Sequence, residues 1–383
     1  MNTRRISWIG MGVAATLAVI GGAGILSLPP ASTVAAATSI GQKEAEATLA
    51  ALKPPKRQHP VIAIIGINDA TETTDYLMPY GILRRADVAD VLTVATEPGP
   101  VTLYPALTVV PDATIAEFDA RHPDGADYVI VPAMKRDDDP SALQWIKGQA
   151  ARGATIIGIC AGAKIVAEAG LLDDKRATTH WFYLKELRDE HPAIQYVADR
   201  RIVVDRSVAT TTGITASMPM SLTLIEAIAG REKAEAVARD LGLSHWDARH
   251  ASNAFSFTRS FALTVIGNTL AFWNRERLGI ELSPGIDEVS LALVADAWSR
   301  TYRSRALTFA VSAGPLQTRS GVRIVPDQVA SSWPAGQLVA AFGDRAPAQA
   351  LNDALDGIAS RYGARTRDVV ALQLEYPKQA ASR

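Results

Sequence analysis

The chain has 383 residues, 39 of them basic and 40 acidic, with a formal net charge of −1 and 48% hydrophobic side chains. Near-neutrality gives no field for polyanions, so no nucleic-acid partner is expected. The composition excludes a disordered, collagenous or polytopic membrane chain. A single cysteine, Cys160, excludes an intramolecular disulfide, and six scattered histidines make no zinc-spaced cluster. Neither a metal nor a cofactor is expected.

Arg4 and Arg5 precede an uncharged apolar run from Ile6 to Leu28, which Pro29-Pro30 ends. The run is long enough for a bilayer crossing of about 20 residues and longer than a secretory core of roughly 7 to 15. Residues 6–28 are therefore expected to be an uncleaved single-pass anchor within an export segment 1–37, with the rest of the chain on the exported side of the cell membrane. The alternative is cleavage as a signal peptide near Ala37, after Ala35-Ala36-Ala37, giving a soluble periplasmic or secreted protein. Residues 38–58 read as a tether.

From Val61 onward, short apolar runs alternate with helical patterns. Val61–Ile65, Tyr128–Val131 and Thr155–Ile159 are continuous apolar stretches of the kind buried in central parallel strands. Helices are expected over Thr73–Ala86 and Ala142–Ala151, a strand near Arg201–Asp205, and further helices over Met218–Ala229 and Glu232–Leu241. The fold class is α/β, a flavodoxin-like sandwich with a mostly parallel sheet, over a domain of residues 59–245. A connector, 246–283, is expected to hold one long amphipathic helix from Phe255 to Arg275.

A repeat follows the connector. At an offset of 215 residues, Leu92-Thr93-Val94-Ala95 aligns with Leu307-Thr308-Phe309-Ala310, and Val110-Pro111-Asp112 with Val325-Pro326-Asp327. Residues 284–383 thus read as a truncated second copy of the domain's opening half. The copy has no cysteine or histidine and carries Ser290 where the first has Asp75, so it cannot rebuild a site. With strands expected at Ala306–Ala310 and Val369–Leu374, it should pack against the first domain through the Phe255–Arg275 helix. That makes an intrachain pseudo-dimer, with a homodimer as a further possibility.

The chemistry gathers at Gly158-Ile159-Cys160-Ala161-Gly162-Ala163, where a strand turns sharply into a helix with a nucleophile at the turn. Gly158 and Gly162 let backbones approach closely. The turn is expected to push Cys160 into solvent, where the following helix N-terminus favours a thiolate. His180, in Arg176-Ala177-Thr178-Thr179-His180-Trp181, is a candidate base. Glu72-Thr73-Thr74-Asp75 opens the helix after the first strand, on the sheet edge that Cys160 shares. Its acids also suit simple helix capping.

These motifs, Glu72-x-x-Asp75-x-x-x-Pro79 with Leu83-Arg84-Arg85-Ala86, the Ile159-Cys160-Ala161-Gly162 elbow and Thr178-Thr179-His180, resemble the ThiJ/PfpI (DJ-one-type) superfamily, related in fold to class I glutamine amidotransferases. The stretch Arg176–Trp181 is most similar to isonitrile hydratases and to the amidotransferase-like domain of AraC-type regulators. The resemblance spans about residues 60–245. It implies Cys160 as the reactive cysteine, Asp75 as the buried acid touching it and His180 as a neighbour. Glu72, Gly158, Gly162 and Thr179 stand as supporting residues, and the Ala161 and Ala133 amides as oxyanion donors. It also implies that the second half stands where many members use a second subunit. Ala161 replaces the threonine of the hydratase branch, and Ala133-Met134 replaces a usual Gly-Gly. Three functions follow: a cysteine-dependent hydrolase or hydratase/lyase on small carbonyl, amide or nitrile-like substrates, a redox or stress sensor or binding module using the same thiol, and a peptidase.

Overall fold

The computed structural model describes Ile25, residues 27–30 and residues 37–376. After helix α1 (Gln42–Ala51), the first half runs β1 (Val61–Gly66), β2 (Asp69–Glu72), α2 (Thr73–Ala86), β3 (Asp90–Ala95), β4 (Val101–Tyr104), β5 (Thr108–Val110), β6 (Ala113–Thr114), α3 (Ile115–Arg121), β7 (Tyr128–Val131) and α4 (Pro140–Ala151). It continues through β8 (Thr155–Gly158), α5 (Gly162–Glu168), β9 (Arg176–Ala177), α6 (Leu184–Glu190), β10 (Gln195–Tyr196), β11 (Ile202–Asp205), β12 (Val208–Thr211), α7 (Ser217–Ala229) and α8 (Arg231–Asp240). The remainder is α9 (Arg259–Leu270), β13 (Glu276–Glu281), α10 (Glu288–Ser299), β14 (Ser304–Ala310), β15 (Leu316–Gln317), β16 (Arg323–Val325), β17 (Gln328–Val329), α11 (Pro347–Tyr362) and α12 (Ala364–Gln373).

Seven strands form the central sheet in the order β11-β12-β8-β7-β1-β3-β6, parallel except for the β11–β12 pair. Strands β1, β7 and β8 are buried at every position, which is why they read as unbroken apolar runs. Alternate residues serve opposite faces: Ile62 and Ile64 join one apolar core, Ala63 and Ile65 the other. In such a sheet the loops after parallel strands open on one edge. The β2–α2 turn and the β8–α5 turn meet there.

Elements of the first half recur 215 residues later. Strand β1 begins at Val61 and β13 at Glu276, α2 at Thr73 and α10 at Glu288, β5 at Thr108 and β16 at Arg323, β6 at Ala113 and β17 at Gln328. The local bonds recur too. Asp112 accepts from the Thr93 amide and hydroxyl, both at 2.8 Å, and Asp327 accepts from Thr308 at 2.7 and 2.9 Å. A five-stranded sheet, β15-β16-β5-β4-β2, joins the halves. In it β5 and β16 are antiparallel, with Val109 opposite Ile324, its own counterpart at the offset. Helices α2 and α10 pack so closely that a Cβ on Gly81 would lie 2.5 Å from Glu288 Oε1.

Several expectations are corrected. The anchor over residues 6–28 is not supported: among the described residues no helix is long and apolar enough to cross a membrane. Most of that segment, and the cleavage site near Ala37, lie outside the described residues. The expected Phe255–Arg275 helix is only α9, started by the Thr258 side chain accepting from the Phe261 amide and flanked by short 3₁₀ turns. Val369–Leu374 is not a strand but falls mostly in α12, because a short apolar run alone does not distinguish a buried helix from a strand. The halves join through α2, α10 and the β5–β16 pair, and also through α9, which packs on α12 and sets Phe261 against Trp181 of the first half.

Candidate active site

Helix α5 enters directly behind the Cys160 turn. Cys160 has φ of +57°, a left-handed conformation that costs a non-glycine residue about 1 kcal/mol or more. Its neighbours hold it there. The Cys160 amide donates to Thr211 Oγ1 at 3.2 Å, and Thr179 Oγ1 donates to the Cys160 carbonyl at 3.0 Å. A Cβ on Gly162 would lie 2.0 Å from the Val131 carbonyl oxygen, so only glycine lets α5 start against the end of β7.

The acids come from the other side of the same edge. Glu72 caps α2, accepting from the Asp75 amide at 2.5 Å and from Thr74 Oγ1 at 2.8 Å. Asp75, fully buried in the first turn, accepts the Ala133 amide through Oδ2 at 3.2 Å. Its Oδ1 has no such partner and its carboxyl lies beside the Cys160 thiol. Arg300, at the end of α10, donates to Glu72 Oε1 at 2.7 Å and to Asp296 Oδ2 at 2.6 Å. Two buried carboxyls therefore share one guanidinium, whose charge also reaches Asp75. Burial pushes Asp75 up to about 7, against the pull of the Ala133 amide and Arg300. Burial, then the charges of Asp75 and Asp296, hold Glu72 well above the usual carboxylate range, and burial raises Asp296 as well.

Cys160 itself differs from the expectation. It is 5% exposed rather than thrust into solvent. Burial, then the charges of Asp75, Glu72 and Glu375, push its thiol well above the ordinary range, against the pull of the Ala161 amide at the sulfur. Helix α5 spans just seven residues and does not outweigh these acids. Of the two groups the acid is therefore the easier to ionise, and its charge helps to keep the thiol protonated.

His180 is brought to the same region but not to the sulfur. Its Nδ1 accepts the Phe182 amide at 3.2 Å, so Nε2 carries the proton, donated to the Gln373 carbonyl at 2.9 Å. Both ring nitrogens are occupied, no hydrogen bond joins the ring to Cys160, and burial lowers its basicity. The expected Cys160–His180 pair is not formed. Ala133 is likewise spoken for by Asp75, which leaves the Ala161 amide facing the sulfur.

Residues missed by sequence reasoning all lie outside the contiguous motifs. Asp296 and Arg300 belong to the C-terminal half. Glu375, 2% exposed, accepts the Trp181 and Gly213 amides at 2.7 and 2.8 Å. Elsewhere, Glu168, Glu190 and His191 bring three ligand atoms within 4.8 Å of one another, and a bond of 3.1 Å between His191 Nε2 and Glu168 Oε1 accounts for part of that group.

A model described as the DJ-1/PfpI family matches residues 61–227. An isonitrile hydratase of Pseudomonas putida is 31% identical over 172 residues, covering 44% of this chain and 72% of the relative. The HTH-type transcriptional regulator CdhR of Pseudomonas aeruginosa is 34% identical over 104 residues, 27% of this chain and 31% of the regulator. Among solved structures, Drosophila melanogaster DJ-1beta aligns with a TM-score of 0.44 at 22% identity, over 49% of this chain and 100% of that one. With Cys160 at the elbow, Asp75 against it and a relative matched over most of its length, the chain belongs to the DJ-1/PfpI family.

Proposed function

We propose that the protein is a cysteine-dependent enzyme acting on small electrophiles with a carbonyl, amide or nitrile-like centre, with Cys160 as nucleophile and Asp75 as its proton acceptor. The observation that carries this reading is the pair itself: a thiol and a carboxyl with an unpartnered oxygen, buried together, the carboxyl titrating near 7. A general base works best when its pKa lies near the operating pH. Ionised Asp75 takes the thiol proton as sulfur attacks the electrophilic carbon, then returns it to the oxygen or nitrogen that gains the electron pair. The Ala161 amide faces the forming centre. Limited exposure at Cys160 favours small substrates over peptides, and the isonitrile hydratase relative adds weight to hydration or its reverse. Absence of the hydroxyl at Ala161 argues for a substrate other than that relative's.

The test is a turnover screen of small aldehydes, amides and isonitriles against the full chain. Cys160→Ser should abolish turnover, and Asp75→Asn should lower kcat/KM by about 10²-fold or more, the usual worth of a positioned acid or base. Turnover surviving in Cys160→Ser would rule the reading out. The second reading, a redox sensor, is favoured only if oxidation of Cys160 proceeds readily while no substrate class turns over.

A further inference from the structure

Two arginines stand at counterpart positions 215 residues apart, Arg85 on α2 and Arg300 at the end of α10. Each crosses to the other half. Arg300 bonds to Glu72, the cap of α2, while Arg85 bonds to Asp287, the cap of α10 and the counterpart of Glu72. The contact is reciprocal, as in an isologous interface between two subunits. Its two ends differ in chemistry. Asp287 leads to Ser290, whose amide it accepts at 2.7 Å, and no cysteine follows; Glu72 leads to Asp75 and Cys160.

We propose that Arg300, carried by the C-terminal half, is a positioning residue of the cysteine site: by gripping Glu72 and Asp296 it holds the β2–α2 turn so that Asp75 stands ready to accept the Cys160 proton. This inference rests on the proposed function above. The chain supplies its own partner half, and that half is needed for the site as well as for cover.

Charge decides how the device works. Cys160 is faced by Asp75 from α2, Glu72 from the β2–α2 turn, Glu375 from the C-terminal segment and the Tyr183 ring. Asp296 and Arg300 face the two acids from α10 and act in opposite directions. Arg300 favours ionised Glu72 and Asp75, whereas Asp296 disfavours both. Replacing one or the other must therefore move the pair in opposite senses, which a packing defect would not do.

The experiment follows alkylation of Cys160 by iodoacetamide against pH in the full chain. Attack assisted by ionised Asp75 should give the wild type a rate midpoint near 7, where that carboxyl loses its proton, well below the pH at which the buried thiol ionises unaided. Arg300→Met should raise that midpoint by about one pH unit or more, Arg300→Lys should return it towards the wild type, and Asp296→Asn should lower it. If Arg300→Met fails to fold, the Arg300→Lys and Asp296→Asn profiles still decide. Unchanged midpoints in folded variants, or shifts in one common direction, would overturn the proposal. Because the readout is alkylation rather than turnover, a chain that turned over no substrate would defeat the enzymatic reading while leaving this one to be judged on its own profile.

Discussion

Asp75 sits where burial works against ionisation, and the consequence extends beyond reactivity to stability. Its folded value of about 7 lies above that of the unfolded chain, near 3.8. Between those values the folded state binds more protons than the unfolded one, so stability is full below about pH 4 and falls as pH rises through 7. The loss from this group is at most about 4 kcal/mol, since one pH unit corresponds to about 1.4. Asp75→Asn keeps an oxygen for the Ala133 amide and removes the charge. Thermal melts should show the variant gaining on the wild type at pH 8 and matching it near pH 4; equal gains at both would mean the carboxyl is not the cause. His180 has no comparable part, because both its ring nitrogens are bonded away from the sulfur.

At the scale of elements, the turn from β8 into α5 depends on a contact that no side chain can enter. Gly162→Ala would place a methyl 2.0 Å from the Val131 carbonyl, forcing α5 off β7 and rotating Cys160 away from Asp75. A loss of about 2–3 kcal/mol is expected, the range for overpacking a rigid site, with slower Cys160 alkylation measured on whatever remains folded. Wild-type stability in this variant would show that the elbow tolerates displacement. This turn was legible in the amino-acid sequence because strand, glycines and cysteine follow one another directly along the chain. The start of helix α2 was equally legible, since Glu72 caps it locally. Where local signals were ambiguous, expectation and structure parted. The run Val369–Leu374 reads as a strand by composition but begins shortly after Gly363, from which α12 starts. The apolar residues around α9 suggested a longer helix than Thr258 and the turn at Phe272 allow.

At the scale of the whole molecule, what stayed hidden in the sequence is what long-range pairing supplies. Arg300 reaches Glu72 across 228 positions and Glu375 reaches Trp181 across 194, and neither residue belongs to a motif. The offset of 215 was visible in strand residues, yet the reciprocal arginines emerge only when the halves are seen facing each other. That arrangement makes a definite prediction for a chain ended after Phe255. It would uncover the face of α2 now packed on α10 and free the β5 edge that pairs with β16, and an apolar face beside an open strand edge invites self-association. Because Arg85 and Arg300 are counterparts, the shortened chain should dimerise through α2 and β5, with each copy's Arg85 meeting the other's Glu72. Light scattering should report a dimer, and Arg85→Glu in that background should turn it into monomers or aggregates while moving the alkylation midpoint of Cys160 upward, as Arg300→Met does in the full chain. A shortened chain that stayed monomeric, as stable as the parent and with its midpoint still near 7, would show that the first half needs no partner, whether from its own chain or from another copy.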